Sequence, residues 1–355
     1  MTSIGLLAIN DIVTTARYFE RAATAAGYNV LTSFDPTAAI KSNLACLLVI
    51  DPFIGSPAPL VRASCPVIGV VIDAHQQLEP RLGYARYCDH VFVVQLDYMA
   101  DFAALPHAST HWLPLGCDPD IHFVTGLDRT IDVSFVGKLG RPGSVRHAIL
   151  SRVLPAFDTN NYARSHTPRE MGKIYSRSKI VFNKSINGDL NMRFFEGLAA
   201  GALLVTDRIG NGLDRMGTDG VHYVTYDTAD EAIDKIRHYL AHDAEREAIA
   251  RAGQQLVFAS HTYAHRLSEI LKIVASQSQA RAPARDAPRS LEAIWRSEYM
   301  RMVGTPVGGA LSLLAEGHLA PQVVGNVAVG VVRGLVRPLR QRLQTMSRPH
   351  GKTES

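Results

Sequence analysis

IYSRSKIVFNKSINGDLNMRFFEGLAAGALLVTD, residues Ile174 to Asp207, is the stretch that decides the fold. Lys179-Ile180-Val181-Phe182-Asn183 is a short β-prone run. Ser185 to Asp189 is turn chemistry, because Asn and Gly accept positive φ. Asp189 or Asn191 can cap a helix that follows, and Gly201 stands where a C′ glycine ends it. Ala202 to Thr206 is then an apolar run of the kind found in a strand buried on both faces of a parallel sheet. Strand, polar loop, short helix, glycine stop and strand together predict an α/β layer fold.

The chemistry of this stretch lies on its helix. Arg193 and Glu196 are three residues apart and share one face. Gly197 and Ala200 continue that face with almost no side chain, while Met192, Phe195, Leu198 and Ala199 turn to the core. The helix N-terminus has free N–H groups and the positive dipole end, which suits a phosphate. A carboxylate about one turn in can accept hydrogen bonds from a ribose diol. The same spacing also fits an Arg–Glu pair on a solvated face.

Working outward, Ile4–Ile9, Tyr28–Leu31, Leu44–Ile50, Val67–Ile72 and His90–Gln95 read as strands, with a helix near Thr15–Ala26. This is a βαβ series. The loop Asn10-Asp11-Ile12-Val13 has no glycine, so a dinucleotide fingerprint is lacking where it would stand. Ligands of open α/β sheets bind beyond the strand carboxyl ends, which here carry Asn10, Asp11, Asp51, Asp73 and His75. Asp73 and His75, two apart, could supply a general base to an acceptor hydroxyl. The alternative is that Asp73 caps a loop and His75 packs or faces water. Asp132–Gly137 starts a second strand series and runs into Lys138-Leu139-Gly140-Arg141-Pro142-Gly143-Ser144. Glycine lets backbone N–H groups approach a diphosphate, and Lys138 and Arg141 can neutralise it. Arg146 opens the next helix and also fits a solvated position.

The central stretch resembles the C-terminal domain of CgeB-type spore-maturation glycosyltransferases, a branch of the GT-B enzymes. The residues that carry this are Tyr175, Ser178-Lys179-Ile180, Asn183-Lys184-Ser185, Gly188-Asp189, Asn191 to Gly201 and Leu203 to Asp207. The similarity continues through Gly220, Tyr223, Tyr226 and Glu231 to His261-Thr262-Tyr263 and Arg266. It implies two doubly wound, Rossmann-like domains facing a cleft. Residues 1–128 would form an acceptor-side domain, 129–275 a nucleotide-sugar domain, and 276–355 a linker and C-terminal extension. The implied donor-binding residues are Gly137, Lys138, Arg141, Asn191, Met192, Arg193 and Glu196, with Glu196 on the ribose. Asp73 and His75 are the catalytic candidates. Retaining members often carry a glutamate where this chain has Gly188, with Asp189 beside it, which leaves inversion or retention open. His111–Pro119 looks like the segment before the domain hinge. The expected reaction is sugar transfer from a nucleotide sugar to an unknown glycan, lipid or protein acceptor, without a metal or other cofactor. The wider role expected is in cell-envelope or polysaccharide biosynthesis. A non-catalytic envelope-assembly protein and a GT-B epimerase are the alternatives.

Composition sets bounds. With 355 residues and 46% hydrophobic content, the chain is long enough for two ordinary domains plus an extension. Residues 281–355 hold eleven Lys and Arg against five acids, a net +6, so the rest of the chain carries −2 of the total +4. The body therefore has no basic excess arguing for nucleic acid. Cys46, Cys65, Cys88 and Cys117 make no C-x-x-C pair and read as buried thiols. His261 and His265, four apart without a third ligand, read as structural. No signal-peptide pattern opens the chain, so a cytoplasmic location is expected. Ser276–Ser290 reads as a linker and Leu291–Val303 as a helix. Arg333, Arg337, Arg340 and Arg342 follow the apolar Val323–Val332. That pattern fits a peripheral contact with the inner membrane face, a helix docked on the body, or disorder.

Overall fold

Parallel strands flanked by helices make up both halves of the chain. In the computed structural model the described residues are 2–8, 14–33, 43–51, 57–76, 78–105, 109–276, 321 and 323–332. The first sheet contains β1 (Ser3–Leu7), β2 (Asn29–Ser33), β3 (Cys46–Ile50), β4 (Val67–Val71), β5 (His90–Val93) and β6 (Ser109–Trp112). Its order is β2-β1-β3-β4-β5-β6, with every neighbour parallel. Helices α1 (Thr14–Ala25), α2 (Leu78–Ala85) and α3 (Met99–Ala103) belong to this half. β3, β4 and β5 are buried at every position, as unbroken apolar runs between two helical layers must be. β6 is the one strand of this sheet that the apolar pattern misses. Ser109-Thr110-His111-Trp112 is polar because it forms an edge with every side chain only half-buried.

From β6 the chain runs through Leu113–Asp118 into a one-turn helix, α4 (Pro119–His122), capped by the Asp118 side chain. This segment pairs with residues far along the chain. Cys117 N–H donates to His261 O at 2.9 Å, and Tyr263 N–H donates to Cys117 O at 3.0 Å. Gly116 permits the approach, since a Cβ there would lie 2.9 Å from His261 O.

The second sheet holds β7 (Ile131–Ser134), β8 (Ser178–Asn183), β9 (Leu203–Asp207) and β10 (Val224–Tyr226). Its order is β10-β9-β8-β7, again parallel. Thr159 pairs with Val133 on the free side of β7. The chain thus leaves β7 toward one side and returns as β8 on the other. The carboxyl ends of β7 and β8 are therefore a topological switch point, where open α/β sheets form a crevice. The helices here are α5 (Val145–Val153), α6 (Pro168–Ser176), α7 (Met192–Ala199), α8 (Ala229–Ala241), α9 (Asp243–Ser260) and α10 (Tyr263–Ser276).

One apolar cluster runs through both halves, from Ile4 and Phe19 to Phe194, Leu204 and Ile270. Its seam is α10 against α1, with the Tyr263 ring 4.9 Å from Tyr18 and 5.3 Å from Phe19. Two further clusters lie wholly within the first and second halves. Residues 323–332 are helical, with Val323 and Val327 buried and Val324, Val329 and Val332 exposed. Asn10, Asp11, the linker, the expected helix at 291–303 and the arginines beyond 332 lie outside the described residues. Among the described residues no helix is long and apolar enough to cross a membrane.

Candidate functional site

The switch point collects most of the residues singled out by the sequence. β7 ends at Ser134, and Phe135 and Val136 carry the chain to Gly137. Gly137 has φ +150°, and a Cβ there would stand 2.2 Å from Arg193 Nη2. Only glycine fits both conditions. Arg193, on the first turn of α7, reaches back across the crevice. Its Nε and Nη2 donate to Val136 O at 3.1 and 2.6 Å, and its Nη1 donates to Asn183 Oδ1 at 2.8 Å. Tyr175 of α6 accepts a further bond from Nε at 3.2 Å, and the guanidinium lies 4.4 Å from the Phe135 ring centroid. Every acceptor is neutral, so Arg193 is hydrogen-bonded but keeps its charge in the crevice.

Asn191 occupies the N-cap position of α7 without making a side-chain cap, and its Oδ1 is buried with no partner. Asp189, the other expected cap, spends Oδ1 on the Ile186 N–H at 2.6 Å. The first N–H groups of α7 therefore have no side-chain cap and point into the crevice. Met192 sits beside Thr15, whose Oγ1 is 3.9 Å from Met192 Sδ, so the N-termini of α1 and α7 meet. Lys138 and Arg141 are exposed on the glycine loop, with no ion pair among the described residues. Arg146 is different: it is buried.

Glu196 is not on an open face. It is 6% exposed, so the alternative of a solvated Arg–Glu pair does not hold. His122 Nε2 lies 3.9 Å from Glu196 Oε1 and 3.0 Å from Tyr18 Oη. His122 Nδ1 accepts the Asp118 N–H at 3.1 Å, which places the proton of the neutral ring on Nε2. Burial lifts the Glu196 carboxyl to about 7, against the pull of Arg193. Burial pushes His122 down to about 4, so at neutral pH the two are not an ion pair. Glu196 thus closes a polar junction between α7, α4 and α1, where the spacing had placed it on a ligand-facing surface.

Across the crevice, Asp73 and His75 follow β4. No hydrogen bond joins them among the described residues. His75 Nδ1 lies 3.5 Å from Gln95 Nε2, and His75 Nε2 is buried without a partner. Burial raises the Asp73 carboxyl, and Asp51 adds to that. Burial likewise raises Asp189, on which His75 acts downward and Asp73 upward, so the β4 loop faces the β8–α7 loop. Asp51 serves the fold: it holds buried Arg81 through a bond from Nη2 to Oδ2 at 2.8 Å and accepts the Ile72 N–H. His265 bonds Thr262 Oγ1 at 2.7 Å and His261 bonds Arg266 Nη2 at 2.7 Å, at the start of α10. Among the described residues no group of three or more His, Cys, Asp or Glu is arranged to hold a metal. A cavity of about 600 Å³ lined by Tyr18, Arg21, Ile121 and Arg169 opens behind α1, away from the glycine loop. The crevice is the better candidate, because the uncapped helix, the glycine loop and the unneutralised cations all converge there.

Residues 125–272 match the family described as Glycosyl transferase-like. No curated protein matches the chain by sequence. Among solved structures, HepE of Anabaena in complex with UDP and glucose aligns with 78% of this chain and 100% of its own, at a TM-score of 0.55 and 11% identity. Sucrose-phosphate synthase from Thermosynechococcus elongatus aligns with 79% of this chain and 100% of its own, at 0.57 and 11%. A glycosyltransferase from Rickettsia africae gives the same coverage at 0.56 and 11%. The fold is that of the GT-B glycosyltransferases. In GT-B terms, the switch point at β7 and β8 lies in the half of the chain that carries the family match, and the β4 loop opposes it from the other half.

Proposed function

We propose that this chain is a glycosyltransferase that moves a sugar from a nucleotide-diphosphate donor to an acceptor hydroxyl. The observation that carries the reading is the switch-point crevice, where the uncapped α7 N-terminus, the Gly137 loop and Arg193 converge. Support comes from the family match and from HepE, which holds UDP and glucose on a similar fold. The CgeB-type branch is the finer assignment proposed. Residues 129–275 would take the donor and residues 1–128 the acceptor.

In the proposed reaction the bond between the anomeric carbon and the diphosphate oxygen breaks while the acceptor oxygen bonds to that carbon. Charge develops on the leaving diphosphate. The helix N–H groups, Arg193 and the loop cations Lys138 and Arg141 stabilise it without a metal or other cofactor. Asn191 and Met192 shape the entrance to α7. The acceptor proton passes to His75, whose Nε2 is free of protein partners, with Asp73 beside it. Glu196 takes the ribose hydroxyls when His122, 3.9 Å away, moves off its carboxyl.

The test is a screen of nucleotide sugars for hydrolysis and transfer, with calorimetry of nucleoside diphosphates. Turnover of at least one donor is expected. Glu196→Ala should weaken nucleoside-diphosphate binding by about 1–3 kcal/mol. Unchanged affinity would remove Glu196 from the ribose site. Binding without turnover on any acceptor would instead favour the non-catalytic envelope protein.

A further inference from the structure

Asn211 is a buried amide whose two ends reach in opposite directions. It lies in the turn after β9, in the left-handed region at φ +54°, and Gly212 follows at φ +83°. Asparagine tolerates that backbone, so a turn role by itself would account for the residue type. It does not account for the side chain. A turn asparagine typically faces water or bonds its own backbone. Asn211 is 6% exposed and bonds residues 114 and 23 positions away. Its Oδ1 accepts the Asp97 N–H at 3.4 Å, and its Nδ2 donates to Gly188 O at 3.3 Å.

These two partners stand on the two sides of the crevice. Asp97 lies in the first half, in the short 3₁₀ turn Leu96–Tyr98 after β5. That turn has no side-chain cap from Gln95, and Asn211 supplies an acceptor to its N-terminal N–H groups. Gly188 lies in the β8–α7 loop, where Asn187 and Gly188 are both left-handed, at φ +55° and +74°. That loop carries Asp189 opposite the β4 loop and then runs into the uncapped N-terminus of α7. The turn that bears Asn211 is itself seated on the first half. A Cβ on Gly212 would stand 2.5 Å from Trp112 Cζ2, so the backbone lies directly against the indole. The indole N–H in turn donates to Val94 O at 3.0 Å. Burying an amide is costly unless its groups are paired, which holds Asn211 to the two bonds it makes. A planar amide engaged at both ends fixes the separation and orientation of its partners. Apolar packing at the seam of α1 and α10 is non-directional and sets no such register.

We infer that Asn211 is a positioning residue for sugar transfer: its amide sets the β8–α7 loop in register with the first half, so that a donor held at α7 meets the acceptor side at a fixed distance. This rests on the nucleotide-sugar reading above. Asn211 acts through the Gly188 carbonyl and not on a substrate.

The experiment compares wild type, Asn211→Gly and Asn211→Asp as full chains. Glycine keeps the left-handed backbone and removes both bonds. Aspartate keeps an acceptor for the Asp97 N–H but has no donor for Gly188 O, and it serves if the glycine variant does not fold. Hydrogen–deuterium exchange without ligand, read by mass spectrometry, should be faster by about fivefold or more over residues 185–189 in both variants. Over residues 96–99 it should be faster in the glycine variant alone. The denaturant midpoint of Asn211→Gly should stay near wild type, because glycine suits the backbone where the amide is lost. Calorimetry with UDP, GDP and ADP should give affinities within about twofold of wild type, since the donor side is intact. With the nucleotide sugar and acceptor that the wild type uses, kcat should fall about tenfold to hundredfold while KM for the donor holds. A residue that only supported the fold would move the midpoint and would not split kcat from KM. Unchanged exchange over residues 185–189 in both variants would overturn the inference, and so would faster exchange with a wild-type kcat; either result leaves the nucleotide-sugar reading standing. A wild type that binds none of the three diphosphates and turns over no nucleotide sugar would sink that reading and the transfer role with it, while the exchange comparison still reports whether the amide sets the loop.

Discussion

Two residues at the site behave in ways that measurements can check. Glu196 titrates near 7 in the folded chain, against an ordinary value of 4.5. Between those values the folded state holds the extra proton. Its contribution is therefore full below about pH 4.5 and is lost as pH rises through 7, a change of about 3 kcal/mol. Glu196→Gln should be more stable than wild type by up to that amount at pH 8 and close to it at pH 4.5. His122 works with the opposite sign. Its folded value is lowered to about 4, so its contribution is present above 6.5 and is lost as pH falls toward 4. Denaturant midpoints of wild type and Glu196→Gln measured across pH 4.5–8 decide the matter, and parallel profiles would mean that the carboxyl is not buried in solution. Gly137→Ala is the second case. The added Cβ meets the Arg193 guanidinium at 2.2 Å in a backbone conformation that disfavours alanine. It should cost about 1–3 kcal/mol of stability and displace Arg193 from Val136 and Asn183. A thermal melt that matches wild type would show that the loop adapts.

At the scale of elements, α6 shows how a distant cap serves the site. Thr167 and Glu170 form a reciprocal capping box with Pro168 in the first turn. Thr167-Pro168-Arg169-Glu170 states this in the sequence. α6 in turn carries Tyr175, fully buried, whose hydroxyl holds Arg193. Thr167→Ala should lower stability by about 1 kcal/mol and leave nucleotide affinity unchanged, as judged by urea unfolding and calorimetry. A loss of affinity without loss of stability would instead tie the cap directly to the site. The inner strands β3, β4, β8 and β9 were legible because buried parallel strands read as apolar runs. β6 was not, because an edge strand needs no such run. Asn191 and Asp189 show a second limit. Both are cap-competent residues at the right place, yet neither side chain caps α7: Asp189 spends Oδ1 on the Ile186 N–H, and Asn191 is held through Nδ2 by Asn183 Oδ1 while its own Oδ1 has no partner.

At the scale of the molecule, the two sheets are joined by α10 against α1 and by contacts across the crevice. Arg215 lies 5.3 Å from the Trp112 ring centroid, and the Asp97 N–H donates to Asn211 Oδ1 at 3.4 Å. All three apolar clusters are built from residues before Ser276. A chain ending at Ser276 should therefore fold with its nucleotide affinity intact. The +6 charge of residues 281–355 motivates a further expectation. The full chain should sediment with anionic vesicles at low salt, and the shortened chain should not. If shortening unfolds the body, the buried Val323 and Val327 are docked on it and the extension is structural.

The sequence by itself determined the layered α/β architecture, most strand positions and the stretch that carries the chemistry. These follow from local patterning: apolar runs, glycine stops and the resemblance of a contiguous segment. The tertiary structure decided which groups are charged, covered or unpaired. Arg146 sits two residues past a solvated loop and Glu196 three past Arg193, and neither spacing reveals burial. Arg146 is buried because its own loop folds over it, and Glu196 because His122 of α4, backed by Tyr18 of α1, stands beside its carboxyl from far earlier in the chain. Local sequence sets backbone conformation, but the dielectric around a side chain is set by whichever distant segments fold against it.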